Sequence, residues 1–236
     1  MTESGPAGVF FDLPEPLPRG QHGLTREQVR GAQRERLLRA FTELLAEVGY
    51  ERVKVSCVCE RAGVSHATFY ELFSGKEDCV CAAYERYIEV VWRRAETIDV
   101  GGRSTWRSFI EGSLDAYFDV LAADPVVSRG FHVEMHDIGP EAGRRQAASL
   151  HRFARVRVGT ERELRKRDPL LKTRPFSVHL GSIHVQRVLA REELRSSPRP
   201  DLSKLRGELV EWLVDSWYGG EPPREDVAAA RTRPQP

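Results

Sequence analysis

The chain has 236 residues, 40% hydrophobic and 30% charged, with a formal net charge of +1. That length admits one large domain or a small domain joined to a larger one, and the composition is ordinary for a soluble globular protein. The balanced charge excludes a uniformly cationic nucleic-acid-binding surface, and no apolar run approaches the ~18 residues of a membrane span.

Residues 1–23 read as a disordered arm. Pro14, Pro16 and Pro18 break any helix, and Arg19-Gly20-Gln21-His22-Gly23 is polar and flexible. This stretch lacks the cationic start and apolar core of a signal peptide, so a cytoplasmic location with reduced thiols is expected. Thr25 and Gln28 form a capping box for a first helix, whose apolar face is Leu37, Phe41, Leu44 and Val48 and which Gly49 ends. A second helix begins around Val53, Val55 and Val58 and runs to about Ala62. Gly63 supplies a turn and Ser65 caps a very short third helix that Tyr70 and Phe73 close. Lys76 opens a fourth helix with Val80, Tyr84, Tyr87 and Val91 on one face. The cysteines stand as Cys57-Val58-Cys59 and Cys79-Val80-Cys81. One intervening residue points two helical sulfurs to different sides, so they read as small buried hydrophobes, not as metal ligands or a redox pair.

Beyond Gly101-Gly102 the pattern stays helical. Trp106, Phe109, Ile110, Leu114, Tyr117 and Leu121 mark one stretch, stopped near Asp124-Pro125; a shorter one runs from Val126 to about His136. Glu141 to Arg167 is long and basic; its nine cations, Arg157 among them, could attract an anionic ligand such as an acyl-coenzyme or a carboxylate, with a solvated helix face as the default reading. A helix from about Arg174 to Leu194 and a last one carrying Leu205, Leu209, Trp212, Leu213 and Trp217 follow, before a disordered tail over 221–236. His132 and His136 lie four apart around Glu134, a spacing that can hold zinc, but no second ligand pair stands near, so no metal or cofactor is expected. No nucleophile–base pair or phosphate loop appears, which argues against a helical enzyme.

The ordered run from the first helix through Gly49-Tyr50, Gly63-Val64-Ser65, Thr68-Phe69-Tyr70, Phe73 and Lys76-Glu77 resembles the tetracycline-repressor-like (TetR) family of bacterial transcription regulators. The resemblance is dense over Leu37 to Tyr84 and architectural beyond it. It implies an all-α fold: a three-helix, homeodomain-like helix-turn-helix domain over 24–78, then a helical ligand-binding and dimerisation domain over 79–220. It also implies roles. Ser65 caps the reading helix, and His66 and Ala67 approach base edges. Thr68 and Tyr70 offer hydroxyls to phosphates, and Lys76 and Lys54 do so with ammonium groups at helix starts. Leu72 and Glu71 depart from the family pattern, which often has a backbone-contacting histidine or tyrosine at the position of Leu72. The implied small-molecule pocket has Trp106, Phe109, Tyr117, Phe118 and Phe131 as candidate walls, with His132, His136 and His151 as polar groups. The implied dimer interface uses Leu180, Ile183, Leu209, Trp212, Leu213 and Trp217, in a four-helix bundle about a twofold axis. The expected protein is therefore a homodimeric one-component repressor that binds double-stranded DNA at a pseudo-palindromic operator and is released by a small ligand. A ligand-independent DNA-binding protein of the same fold is the alternative.

Overall fold

A computed structural model describes residues 10–11, 23–98, 104–133, 135, 138–197 and 200–219. Most of the expected arm and all of the tail over 221–236 lie outside the described residues, as do Gly101-Gly102, Glu134 and His136. Among the described residues there are nine α-helices and no strands: α1 Arg26–Val48, α2 Val55–Ala62, α3 His66–Leu72, α4 Lys76–Glu96, α5 Trp106–Ala123, α6 Pro125–Val133, α7 Pro140–Arg165, α8 Phe176–Ser196 and α9 Leu202–Tyr218. None of them is long and apolar enough to cross a membrane.

The boundaries follow from local chemistry. The Thr25 hydroxyl accepts from the Gln28 backbone N–H while the Gln28 side chain accepts from the Thr25 N–H, so α1 starts on a complete capping box. A 3-10 turn, Tyr50–Arg52, separates α1 from α2, so α2 starts at Val55, two residues later than expected. Gly63 takes φ +62°, a left-handed conformation that other residues adopt at a cost, and this lets the chain reverse between α2 and α3.

The small reading domain closes over Leu37, Leu38, Phe41 and Leu45 of α1, Val58 of α2, Phe69 and Phe73 around α3, and Val80 of α4, all buried. The α4 helix belongs to both regions: its start carries Cys79 and Val80 in this core, and its later turns carry Tyr87 and Val91 into the second domain. There α5 packs on α9, α7 on α8, and α6 on both α8 and α1. The α6–α1 contact is close at Gly130, where an added Cβ would sit 3.5 Å from both Leu45 Cδ2 and the Thr42 carbonyl. Phe10 and Phe11, expected within the disordered arm, are buried, and the Phe10 ring lies 5.0 Å from that of Tyr87.

Asp124 holds the start of α6. Its Oδ1 accepts from the backbone N–H groups of Val126 and Val127, both at 3.1 Å, while Oδ2 is buried without a partner. Burial pushes the carboxyl up from 3.8 to about 6. Because the folded value lies above the unfolded one, its contribution to stability is full below the unfolded value and is lost as pH rises through the folded one. Asp124→Asn keeps the capping oxygen and removes the charge. It is expected to raise stability near neutral pH by ~1–3 kcal/mol and to flatten the decline between about pH 4 and pH 7 in urea titrations. A decline as steep as in the parent would contradict this.

Candidate nucleic-acid interface and ligand cavity

The α3 helix has seven residues, too few to be stable alone, so its neighbours hold it. Phe69 is the anchor, wholly buried against Phe73 at 5.6 Å between ring centroids. Ser65 caps the start, its Oγ accepting from the Thr68 N–H at 3.1 Å. At the other end Arg30 reaches over from α1 and donates to the Glu71 carbonyl at 2.8 Å. With Phe69 turned inward, helical spacing turns His66, Ala67 and Tyr70 outward; all three are exposed, as is Ser65. Thr68 is only partly accessible and its hydroxyl lies 2.9 Å from that of Ser65, so it serves the cap first. Lys54 is exposed at the start of α2, where no side chain caps the free backbone N–H groups.

Lys76 departs from expectation. Its Nζ donates to the Tyr50 carbonyl at 3.1 Å and approaches that of Val53 at 3.5 Å, lying 4.1 Å from the centre of the Tyr50 ring. The half-buried ammonium thus ties α4 to the turn after α1, which leaves it less free to reach a phosphate. Arg30 and Arg34 flank the α3 end, Arg34 lying 5.6 Å from the Phe73 ring centre. Neither stands out in the sequence, because nothing in the spacing along α1 shows which face meets α3.

In the second domain the described residues enclose a cavity of about 330 Å³. Its walls come from Tyr87, Val91 and Trp92 of α4, Phe109 and Tyr117 of α5, His132 of α6, Phe153 and Arg157 of α7, and Ile183, Gln186 and Arg187 of α8. Phe109, Tyr117 and His132, proposed from sequence as ligand contacts, are among the residues that line it. His132 is neutral there: its Nδ1–H donates to the Ser128 carbonyl at 3.1 Å, and Nε2 accepts from the Tyr117 hydroxyl at 2.6 Å. Burial holds its pKa well below the usual histidine range.

Four expected wall residues lie elsewhere: Phe118 is buried beside the Tyr117 ring, 5.2 Å between centres, and the other three pack apart from the cavity. Trp106 stacks on Trp217 with ring centres 5.0 Å apart, Phe131 fills an aromatic cluster with Tyr84 and Tyr87, and His151 packs against Phe176. Each sits on an apolar stripe of its helix, but the stripe is wider than the cavity.

Four of the six residues expected at the dimer interface are buried within the single protomer. Leu209, Leu213 and Trp217 are buried within the protomer, against α5 and α8, and Ile183 lines the cavity. Trp217 Nε1 donates at 2.8 Å to Glu161 Oε2, an oxygen that also lies 2.9 Å from His179 Nε2 and accepts from the Arg174 backbone. Of the remaining two, Leu180 is half-buried and Trp212 is open to solvent, together with Val178, Val185, Val188 and Leu189 of α8.

Cys59, Cys79 and Cys81 are buried, as expected, whereas Cys57 is exposed; burial pushes the Cys81 thiol up to about 11. Among the described residues no group of three His, Cys, Asp or Glu side chains is arranged to hold a metal.

Residues 37–83, the segment that builds α2, α3 and their supports, match the amino-terminal family model described as bacterial regulatory proteins, tetR family. That segment is a TetR-family amino-terminal domain. Among curated TetR-like relatives, an uncharacterized HTH-type transcriptional regulator of Mycobacterium bovis is 26% identical over 192 residues, covering 77% of this chain and 96% of that one. The fatty acid metabolism regulator protein of Bacillus subtilis is 28% identical over 88 residues; the match spans 37% of this chain and less than half, 45%, of that relative. Among solved structures, FadR from Bacillus subtilis in complex with stearoyl-CoA superposes with a TM-score of 0.64 at 21% identity, covering 76% of this chain and 96% of that one. FadR from Bacillus halodurans gives 0.64 at 18% identity, covering 81% and 97%. The TetR fold thus extends well beyond the reading domain.

Proposed function

We propose that two copies of this TetR-family regulator bind a pseudo-palindromic operator through α3 and leave it when the cavity is filled. The observation that carries the reading is the outward face of α3. Ser65, His66, Ala67 and Tyr70 are exposed on a short helix whose opposite side is anchored by buried Phe69, with Lys54 exposed at the neighbouring helix start. In this reading His66 and Ala67 read base edges, while Tyr70 and Lys54 take phosphates. Two such helices, one per protomer, would need a separation of ~34–36 Å to enter successive major grooves. With a net charge of only +1, affinity depends on both readers engaging at once.

The route from ligand to reader is α4. Lys76 is held against the turn beside α2, and Val91 lines the cavity fifteen residues later, ~22 Å along the helix axis at 1.5 Å per residue. A ligand that favours one position of α4 favours one spacing of the readers, and a coupling of ~1–3 kcal/mol is the usual scale. The cavity itself speaks for sensing over a ligand-independent protein. The fatty acid regulators among the relatives, one solved with stearoyl-CoA, support an acyl-type ligand for its mostly apolar walls.

The test is to sequence DNA fragments selected by the purified protein and then to compare variants on the selected site. His66→Ala is expected to relax preference at one position of each half-site by ~1–3 kcal/mol while leaving binding to random duplex within about twofold. Equal losses on both DNAs would remove His66 from base reading. No retention of duplex fragments at low ionic strength would end the proposal.

A further inference from the structure

Arg157 is a cation inside the protein with no acid beside it among the described residues. It projects from α7 into the cavity wall and is only 6% exposed. Its guanidinium donates to Ser182 Oγ at 2.8 Å and lies 3.5 Å from Gln186 Oε1, both neutral groups on α8. Among the described residues no carboxylate oxygen comes within ion-pairing distance of it. Glu161, one turn along the same helix, is taken by His179, Trp217 and the Arg174 backbone. Arg187 supplies a second cation to the cavity wall and spends one N–H on the Phe131 carbonyl. Among the described lining residues the one acid is Glu96, which is exposed and accepts from Trp92 Nε1.

A buried charge is normally paired, because its desolvation is otherwise uncompensated. An arginine cannot escape by losing its proton: burial brings the Arg157 pKa down only to about 10, still far above neutrality. The other polar groups of the cavity are differently placed. His132 and Tyr117 satisfy one another and the Ser128 carbonyl, so they demand nothing from a ligand. The unanswered group is the guanidinium, whose planar fork matches a carboxylate with two hydrogen bonds.

We propose that the ligand of this cavity is a chain-like monocarboxylate, its carboxylate seated on Arg157 and its hydrocarbon against Val91, Phe109, Phe153 and Ile183. The proposal rests on the ligand-sensing reading above and specifies the chemistry of the head group. At ~30 Å³ for each water-sized group, about 330 Å³ holds roughly eleven such groups, which suits an acid of about ten carbons. An acyl-CoA thioester offers a neutral carbonyl at the same end, and its phosphates lie a pantetheine arm away from it.

The experiment measures binding of decanoate, 1-decanol and decanoyl-CoA to the full chain by isothermal titration calorimetry, with the parent, Arg157→Gln and Arg157→Lys. Decanoate is expected to bind the parent at least ~tenfold more tightly than the alcohol, as a charge-assisted pair requires. Arg157→Gln should cost decanoate roughly ten- to a hundredfold and leave the alcohol unchanged, with Arg157→Lys in between. Equal binding of acid and alcohol by the parent, a comparison that needs no variant to fold, would overturn the proposal. So would an Arg157→Gln protein that keeps its decanoate affinity, or a parent that prefers decanoyl-CoA to the acid. Those results leave ligand sensing standing, whereas silence of all three probes on the parent would remove both.

Discussion

A chain carrying both Val185→Asp and Trp212→Asp is expected to become monomeric and to bind its operator ~10²–10⁴-fold more weakly than the parent. The two side chains are 40% and 43% exposed, and Val178, Val188 and Leu189 extend the apolar surface along α8. The opposite side of α8 is already committed, with His179, Ser182, Gln186 and Ala190 buried against the rest of the protomer. These exposed apolar side chains on α8 and α9 are what the proposed second copy would cover. Two carboxylates placed at its centre would have to be desolvated without partners, which costs more than the contact returns. Each protomer should still fold, because neither residue is part of the core, so the circular dichroism melt should move by only a few degrees. Sedimentation gives the oligomeric state, and anisotropy titrations on the operator and on its isolated half-site give the affinity. A double variant that stays dimeric, or a parent that binds the whole operator no better than a half-site, would remove this face from the assembly.

Trp217→Ala should do the opposite: it should damage the protomer itself, by ~3–5 kcal/mol for a buried tryptophan truncated to alanine. The indole is 1% exposed, stacked at 5.0 Å on Trp106 and edge-on at 5.0 Å to His179. Its N–H is one of the donors that satisfy Glu161 inside the protein, so truncation opens a cavity and also strips a partner from a buried carboxylate. Against a typical total of ~5–15 kcal/mol, that is a third of the stability or more. Urea denaturation at one fixed protein concentration separates the two effects, since stability and assembly are linked in a dimer. A variant that loses its dimer while keeping its denaturation midpoint would return Trp217 to the interface first expected for it.

The helices and their ends were legible because they depend on neighbours in the chain. A capping box needs Thr25 and Gln28, a reversal needs Gly63, and a short capped helix needs Ser65 followed by Phe69. The 3.6-residue period does the rest. The same locality explains why the outward face of α3 could be read: once Phe69 is inside, His66, Ala67 and Tyr70 are outside. The period gives no preference between two apolar sides of one helix. On α9 it marks Leu209, Trp212, Leu213 and Trp217 alike, and on α8 it does not separate Ile183 from Val185; which of them meets the protomer's own core depends on α5, α7 and the cavity.

Sequence alone determined the all-helical class and the capped short helix, because those features rest on contacts within a few residues; the outward roles of His66, Ala67 and Tyr70 came from the resemblance to the TetR family. Tertiary structure alone decided the groups whose partners are far away along the chain. Lys76 turns inward because the Tyr50 and Val53 carbonyls, 26 and 23 residues earlier, come within reach of its ammonium. Arg157, one cation among many on a basic helix, becomes a charged part of a cavity wall because Ser182 and Gln186 of α8 pack over it and, among the described residues, no acid does. Such contacts leave no periodic trace in the sequence, since the energy that sets them comes from desolvation and packing between helices and not from any one helix.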